Sequence, residues 1–213
     1  MSVTVITPAE AKRLTTVENV RSDLGLKSDD PPSAVIERFI DQASARAASF
    51  CRRRFGREAV RERIKLHGAA TSPDGGLLLS CEPVGAITSL SLDGVVLLPG
   101  AYEAGERFVH FLSDGERRCW RGRLVVIEYE AGWLLPDEDR GSSTAPDLPA
   151  DIEHAVIQLV GASLSAVGRD MMLKSENVDG VLSQSWYVQG AAAALPHPEA
   201  EAILSQYRRP VFV

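Results

Sequence analysis

Two apolar stripes at helical spacing, set on either side of a β-rich centre, constrain this chain more than any other feature. In "AVIERFIDQASARAASFCRRRFG", Val35, Ile36, Phe39, Ile40, Ala43, Ala47 and Phe50 recur at intervals of three and four, which predicts an amphipathic helix entered at Ser33. Arg52, Arg53 and Arg54 fall in its expected last turn, with Gly56 as its stop. From Leu148 to Arg169 the pattern returns through Ile152, Ala155, Val156, Leu159, Val160, Ser163, Leu164 and Val167, with Asp151 in the first turn and Arg169 near the end. An amphipathic helix needs a partner for its apolar face, so the second helix is expected to return to the first.

The centre has a different period. "RERIKLHG", "GLLLSCEPVGAITSLSLDG", "RFVHFLS" and "GRLVVIEYEAGW" are short β-rich runs bounded by Gly, Pro and Asp, and "LDGVVLLPGAY" reads as strand, Asp-Gly turn and strand. Without βαβ spacing, these runs predict an antiparallel sheet or small barrel. Nearer the start, "TPAEAKRLTTVENVRSDLGLKSDD" offers a short helix over Pro8 to Leu14, capped at Thr7, or one from Thr16 to Leu24. The expected class is α+β, a small helical bundle with an inserted antiparallel β module and an extended C-terminal tail. Its divisions are 1–64 for the N-terminal helical part, 65–135 for the β module, 136–147 for a polar loop, 148–170 for the returning helix, and 171–213 for the extended segment and tail.

Candidate chemistry is sparse. Cys51, Cys81 and Cys119 form no C-x-x-C pair, and His67, His110, His154 and His197 lie in separate segments without metal-ligand spacing. Ser163 and Ser165 sit inside a helical period, not on a nucleophile elbow. Gly75 and Gly76 belong to "SPDGG" without a phosphate-cradling pattern, and Asp137, Glu138 and Asp139 read as a solvated polar loop. No catalytic residue, metal ligand or cofactor is assigned, and the chain is not expected to be an enzyme. With no cationic lead into an apolar run and no window of 18 uncharged apolar residues, neither a signal peptide nor a membrane span is expected. That reading places the chain in the cytoplasm of the producing cell or inside an assembly made there.

A formal net charge of -6 argues against nucleic acid as the main partner, although Arg52, Arg53, Arg54, Arg57, Arg61, Arg63 and Lys65 form a local basic block. Glu58 and Glu62 interrupt it, and arginine also favours protein interfaces, so a subunit interface is the preferred reading over a DNA contact. The segment "LKSENVDGVLSQSWYVQ" alternates Val178, Val181, Trp186 and Val188 with polar residues, as in an extended hairpin or a strand added to another chain's sheet. After it, "AAAALPHPEAEAILSQYRRPVFV" predicts a short helix after Pro198, ended by Pro210. Ile203, Leu204 and Tyr207, with Arg208 and Arg209, have the composition of a docking peptide.

In order and spacing, "VENVRSDLGLKSDDPPSAVIERFIDQASARAASFCRRRFG", "CEPVGAITSLSLDG", "VVIEYEAGW", "LPADIEHAVIQLVGASL", "LKSENVDG" and "LPHPEAEAILSQYRRP" resemble the head-tail connector (head-completion or adaptor) proteins of long-tailed double-stranded DNA bacteriophages, prophages and gene transfer agents. The resemblance spans most of the chain. It implies a helical bundle of connector-adaptor type in the virion neck, after assembly in the host cytoplasm. It also implies a ring, commonly of twelve copies, beneath the portal protein ring, which receives the tail through a tail-side adaptor or tail terminator. On that resemblance Leu195, Ile203, Leu204, Tyr207, Arg208, Arg209, Val211 and Phe212 form the portal-docking element. Arg52, Arg53, Arg54, Arg57, Arg61, Trp186 and Tyr187 are expected at an inter-subunit surface or at a channel carrying packaged DNA. The alternatives are a tail-side adaptor or tail-completion protein, and a DNA-binding module using the Arg52 to Lys65 block. Truncation after Leu195 is expected to leave the fold intact while abolishing capture by portal.

Overall fold

A computed structural model of the chain describes residues 2–137, 145–167, 175–178, 182–185 and 194–209. The chain divides into two compact units, residues 1–10 with 56–134 and residues 11–55 with 135–213.

The first unit is built of antiparallel strands. Its five-stranded sheet contains β1 (Ser2–Thr7), β2 (Glu58–Lys65), β4 (Val84–Leu92), β5 (Val95–Val96) and β9 (Leu124–Ala131), in the order β1-β2-β9-β4-β5. A second sheet orders β3 (Leu77–Leu78), β7 (Phe108–Ser113) and β6 (Tyr102–Ala104), with β8 (Glu116–Arg118) paired to β7. Strand alternation explains why they close on one core. Val60 and Ile64 of β2, Leu90 of β4, and Val125, Ile127 and Tyr129 of β9 are buried together with Leu77 and Val109 of the second sheet. Their neighbours Arg61, Arg63 and Lys65 point outward and are exposed.

The expected Asp-Gly turn is present between β4 and β5. Asp93 (φ 50°) and Gly94 (φ 87°) both take the left-handed conformation that such a hairpin turn requires. The Asp93 carboxylate also accepts from the backbone N–H groups of Arg123 and Leu124, at 2.8–3.1 Å, so the turn is pinned to the entry of β9.

The second unit is helical and carries a short hairpin. Its helices are α1 (Val17–Leu24), α2 (Ser33–Cys51), α3 (Ala150–Ser165) and α4 (Pro198–Gln206). α3 returns to pack on α1 and α2 and also carries α4. The buried stripe of α2 is Ile36, Ile40, Ala43, Ser44, Ala47 and Cys51, and that of α3 includes Ile152, Ala155, Val156, Leu159 and Val160. Each fully buried Ile or Leu stabilises the unit by about 1.5–3 kcal/mol relative to exposure. Gly161 lets α3 approach α1 closely: a Cβ there would lie 3.2 Å from Leu24 Cδ2. β10 (Ser175–Val178) and β11 (Leu182–Ser185) pair antiparallel, so this segment forms a hairpin within the chain.

Three local expectations change. Pro8 to Leu14 is not helical; of the two helices offered near the start, the chain forms the later one. Thr16 caps it by accepting from Asn19 N–H at 3.2 Å, and Gly25 (φ 61°) ends it. Ahead of it, the β-branched run Val3 to Thr7 pairs with β2 as a strand. Leu14 and Thr15 are buried, held by Leu14 N–H to Ser44 Oγ (3.1 Å) and Thr15 Oγ1 to Glu153 (2.8 Å). Finally, α2 stops before the arginines: Arg52 itself adopts φ 55°, and its N–H bonds back to the helix carbonyls of Ala48 and Ser49. The segment 1–64, read as helical, therefore begins and ends with strands of the β unit.

Candidate assembly surface around the C-terminal helix

The residues singled out near the C-terminus meet the end of α2 and the start of α3. Pro198 occupies the first turn of α4, where its missing N–H costs nothing, and His197 Nδ1 accepts from Ala200 N–H at 3.4 Å as the cap. Glu201 reaches back to accept from Ala194 and Leu195 N–H, each at 3.0 Å, which holds the segment entering α4 onto the helix. The two side chains thus satisfy one donor in the first turn of α4 and two in the segment before it.

The apolar side of α4 is turned inward. Leu195, Ala200 and Leu204 are all buried, Leu204 completely. Leu204 also offers its carbonyl to Cys51 Sγ at 3.3 Å, and burial pushes the Cys51 thiol up to about 11. Leu195 and Leu204, grouped by sequence with the docking residues, thus serve as anchors of the helical unit itself.

Beyond α4 the chain stays attached. Arg209 N–H donates to the Cys51 carbonyl at 3.0 Å, and the Tyr207 carbonyl faces Arg53 Nη1 at 3.5 Å. Arg53 is buried, with its guanidinium 5.9 Å from the Phe55 ring centre. Arg208 is exposed and lies over Phe50, 5.3 Å from the ring centre, a cation–π arrangement at the surface. Tyr207 is half-buried and its phenol donates to Asp151. Burial first, and that hydrogen bond second, push the phenol up to about 12.

The outward remainder is therefore Arg208 on Phe50, with the half-buried Ile203, Tyr207 and Arg209 beside it. Val211 and Phe212, and likewise Trp186 and Tyr187, lie outside the described residues. The basic block is divided. Arg52, Arg53 and Arg54 belong to the helical unit, whereas Arg57, Arg61, Arg63 and Lys65 belong to the β unit. Arg61 pairs with Glu128 at 2.7 Å across the β2–β9 ladder.

Glu62, counted by sequence among the charges of that block, is instead completely buried on the inward face of β2. It accepts from Ser80 Oγ (2.6 Å), Ser80 N–H (3.0 Å) and the Tyr129 phenol (2.8 Å). The strict alternation of "VRERIK" was the available signal, since it places Glu62 in phase with Val60 and Ile64.

Among the described residues no group of three or more His, Cys, Asp or Glu side chains is arranged to hold a metal ion, and no helix is long and apolar enough to cross a membrane. No protein-family profile matches the chain, and no curated protein sequence matches it. Solved structures do. A chain from the virion of a native gene transfer agent particle is similar over 100% of this chain and 98% of its own length, with a TM-score of 0.53 and 18% identity. A chain from the neck of an empty gene transfer agent particle, computed with C6 symmetry, covers the same shares with a TM-score of 0.50 and 18% identity. At this identity the likeness is one of fold.

Proposed function

We propose that this chain is a non-enzymatic head-tail connector subunit that forms a ring beneath a portal and supplies the seat for a tail in a phage-like particle. The observation that carries this reading is the end-to-end fold likeness to chains of a gene transfer agent virion and neck, which takes in the helical and β units alike. The order of sequence segments supports it independently.

On this reading the work is done by contact geometry. A closed ring repeats one heterologous interface, so a modest contact per copy becomes a cooperative assembly, and many docked tails on one portal add avidity. Portal docking falls to the outward side of α4, through Ile203, Tyr207, Arg208 and Arg209, together with Val211 and Phe212. Arg208 suits that role because its guanidinium is exposed yet held over Phe50, so less side-chain freedom is lost on binding. The exposed Arg52 and Arg54 fit an inter-subunit surface better than a DNA channel, because the block is split between two units and Arg61 already faces a carboxylate.

Electron microscopy of the protein incubated with purified cognate portal tests the assignment. The expected image is an added ring beneath the portal. Binding to tail components with none to portal would move the protein to the tail side, and steeply salt-dependent binding to duplex DNA in place of both would make it a DNA-binding module.

A further inference from the structure

Among the described residues β1 is the open edge of the five-stranded sheet, bonded to β2 on one side only. Free edges are normally guarded by charge, proline or a covering segment. This strand, "SVTVIT", has neither charge nor proline, and all six of its residues are exposed.

Register explains what the edge displays. Val5 lies opposite Val60, and Val3 opposite Glu62, so both valines share the face on which β2 is buried. The core nonetheless stops short of them: Val3 is 40% and Val5 38% exposed, and Ile6, at the register shift, is 47% exposed. On the opposite face Ser2 lies beside Arg63 and Thr4 beside Arg61, with Lys65 further along, and all three cations are exposed. One more strand paired to β1 would therefore meet an apolar strip on one face and a cationic row on the other. Two strand spacings, about 9–10 Å, separate that added strand from β2, a gap that a glutamate and an arginine together can span.

We infer that the β1 edge is a strand-addition site for an extended segment of another protein in which apolar residues alternate with acidic ones. The apolar residues would complete the cover over Val3 and Val5, and the carboxylates would face Arg63 and Lys65. Main-chain pairing supplies the fit, and the charge row sets which face of the incoming strand lies outward. The inference goes beyond the connector reading and does not depend on it.

The test uses the full chain and two labelled ten-residue peptides, one alternating Val with Glu and one alternating Val with Lys. Fluorescence anisotropy is expected to show saturable binding of the Val/Glu peptide, at least ten-fold tighter than the Val/Lys peptide. Arg63→Glu with Lys65→Glu should reverse that order. Val5→Lys, a substitution at an exposed position, should abolish binding with an unchanged melting curve. Equal binding of the two peptides, or undiminished binding by Val5→Lys, would overturn the inference. A concentration-dependent rise in mass that Val5→Lys removes would also overturn it, by making a second copy of this chain the occupant.

Discussion

The phenol of Tyr207 donates to the carboxylate of Asp151, 2.7 Å from Oδ2 and 2.9 Å from Oδ1, and so ties the residue after α4 to the first turn of α3. These residues lie far apart in sequence, and the link fixes where the last described segment leaves the helical unit. It also gives that unit an alkaline limit. The folded protein holds the phenolic proton more tightly than the unfolded chain does, with the value raised from 10 to about 12. The resulting stabilisation is complete below pH 10 and is lost as pH rises through about 12.

Thermal melts between pH 9 and 12 should reveal this. Wild-type protein is expected to lose an increment of stability over that interval that Tyr207→Phe lacks, because phenylalanine has no proton to release. At neutral pH the substitution should cost about 1 kcal/mol, the net worth of a partly exposed hydrogen bond. Parallel pH profiles for the two proteins would show that the contact does not hold α4 in place.

Sequence made the helices legible because both sides of their partnership carry the 3.6 period. α2 buries Ile36, Ile40, Ala43 and Ala47 of its marked stripe and leaves Val35, Phe39 and Phe50 half-buried. α3 buries Ile152, Ala155, Val156, Leu159 and Val160, whereas Val167 lies past its end and is exposed; Pro198 marks the start of α4. β1 was not legible, since six residues can form a strand only if a partner edge exists, and β2 lies across an entire helical segment of chain. The place of Leu204 was hidden for a related reason: α4, which carries it, packs on α2 and α3, both distant in sequence, whereas the local pattern "AILSQYRR" is equally that of a docking peptide. Glu62 misled through its composition, because acidic residues are rarely buried without partners, and its partners Ser80 and Tyr129 lie on other segments.

Glu62 and Tyr129 should behave as one unit in the β core. The phenol donates to Glu62 and accepts from Cys81 N–H at 3.2 Å, while burial and then the adjacent carboxylate push its proton affinity well above the ordinary tyrosine range. Glu62→Ala removes the acceptor of the buried phenol, which costs about 1–3 kcal/mol if left unsatisfied. Denaturant titration is expected to show that the double variant Glu62→Ala/Tyr129→Phe loses clearly less stability than the two single variants summed. Simple additivity would mean that the two side chains act independently.

Gly76 is set by close approach. A Cβ there would fall 2.5 Å from His110 Nε2 and 2.9 Å from two ring carbons, and the ring is buried with Nε2 only 2.9 Å from Asp74 Oδ2. Gly76→Ala is therefore expected to destabilise the β unit by about 1–3 kcal/mol, the usual cost of overpacking. Adding His110→Ala should recover most of that loss in the double variant, since the obstructing ring is gone. If Gly76→Ala costs the same with or without the imidazole, the obstruction lies elsewhere.

Packing of α4 revises the expected effect of truncation. Removing everything after Leu195 deletes Ala200 and Leu204, and it also deletes the Glu201 carboxylate that accepts from the N–H groups of Ala194 and Leu195. The faces of α2 and α3 on which α4 packs would then be exposed, so loss of portal capture by such a chain would report unfolding as readily as lost docking. Point variants separate the two effects. Leu204→Ala is expected to lower stability by about 2–5 kcal/mol through the cavity it leaves, with portal capture restored at temperatures where the variant remains folded. Arg208→Ala, at an exposed position, should change stability little while weakening capture on purified portal rings. If Arg208→Ala is retained by portal as well as wild type, the outward side of α4 takes no part in docking.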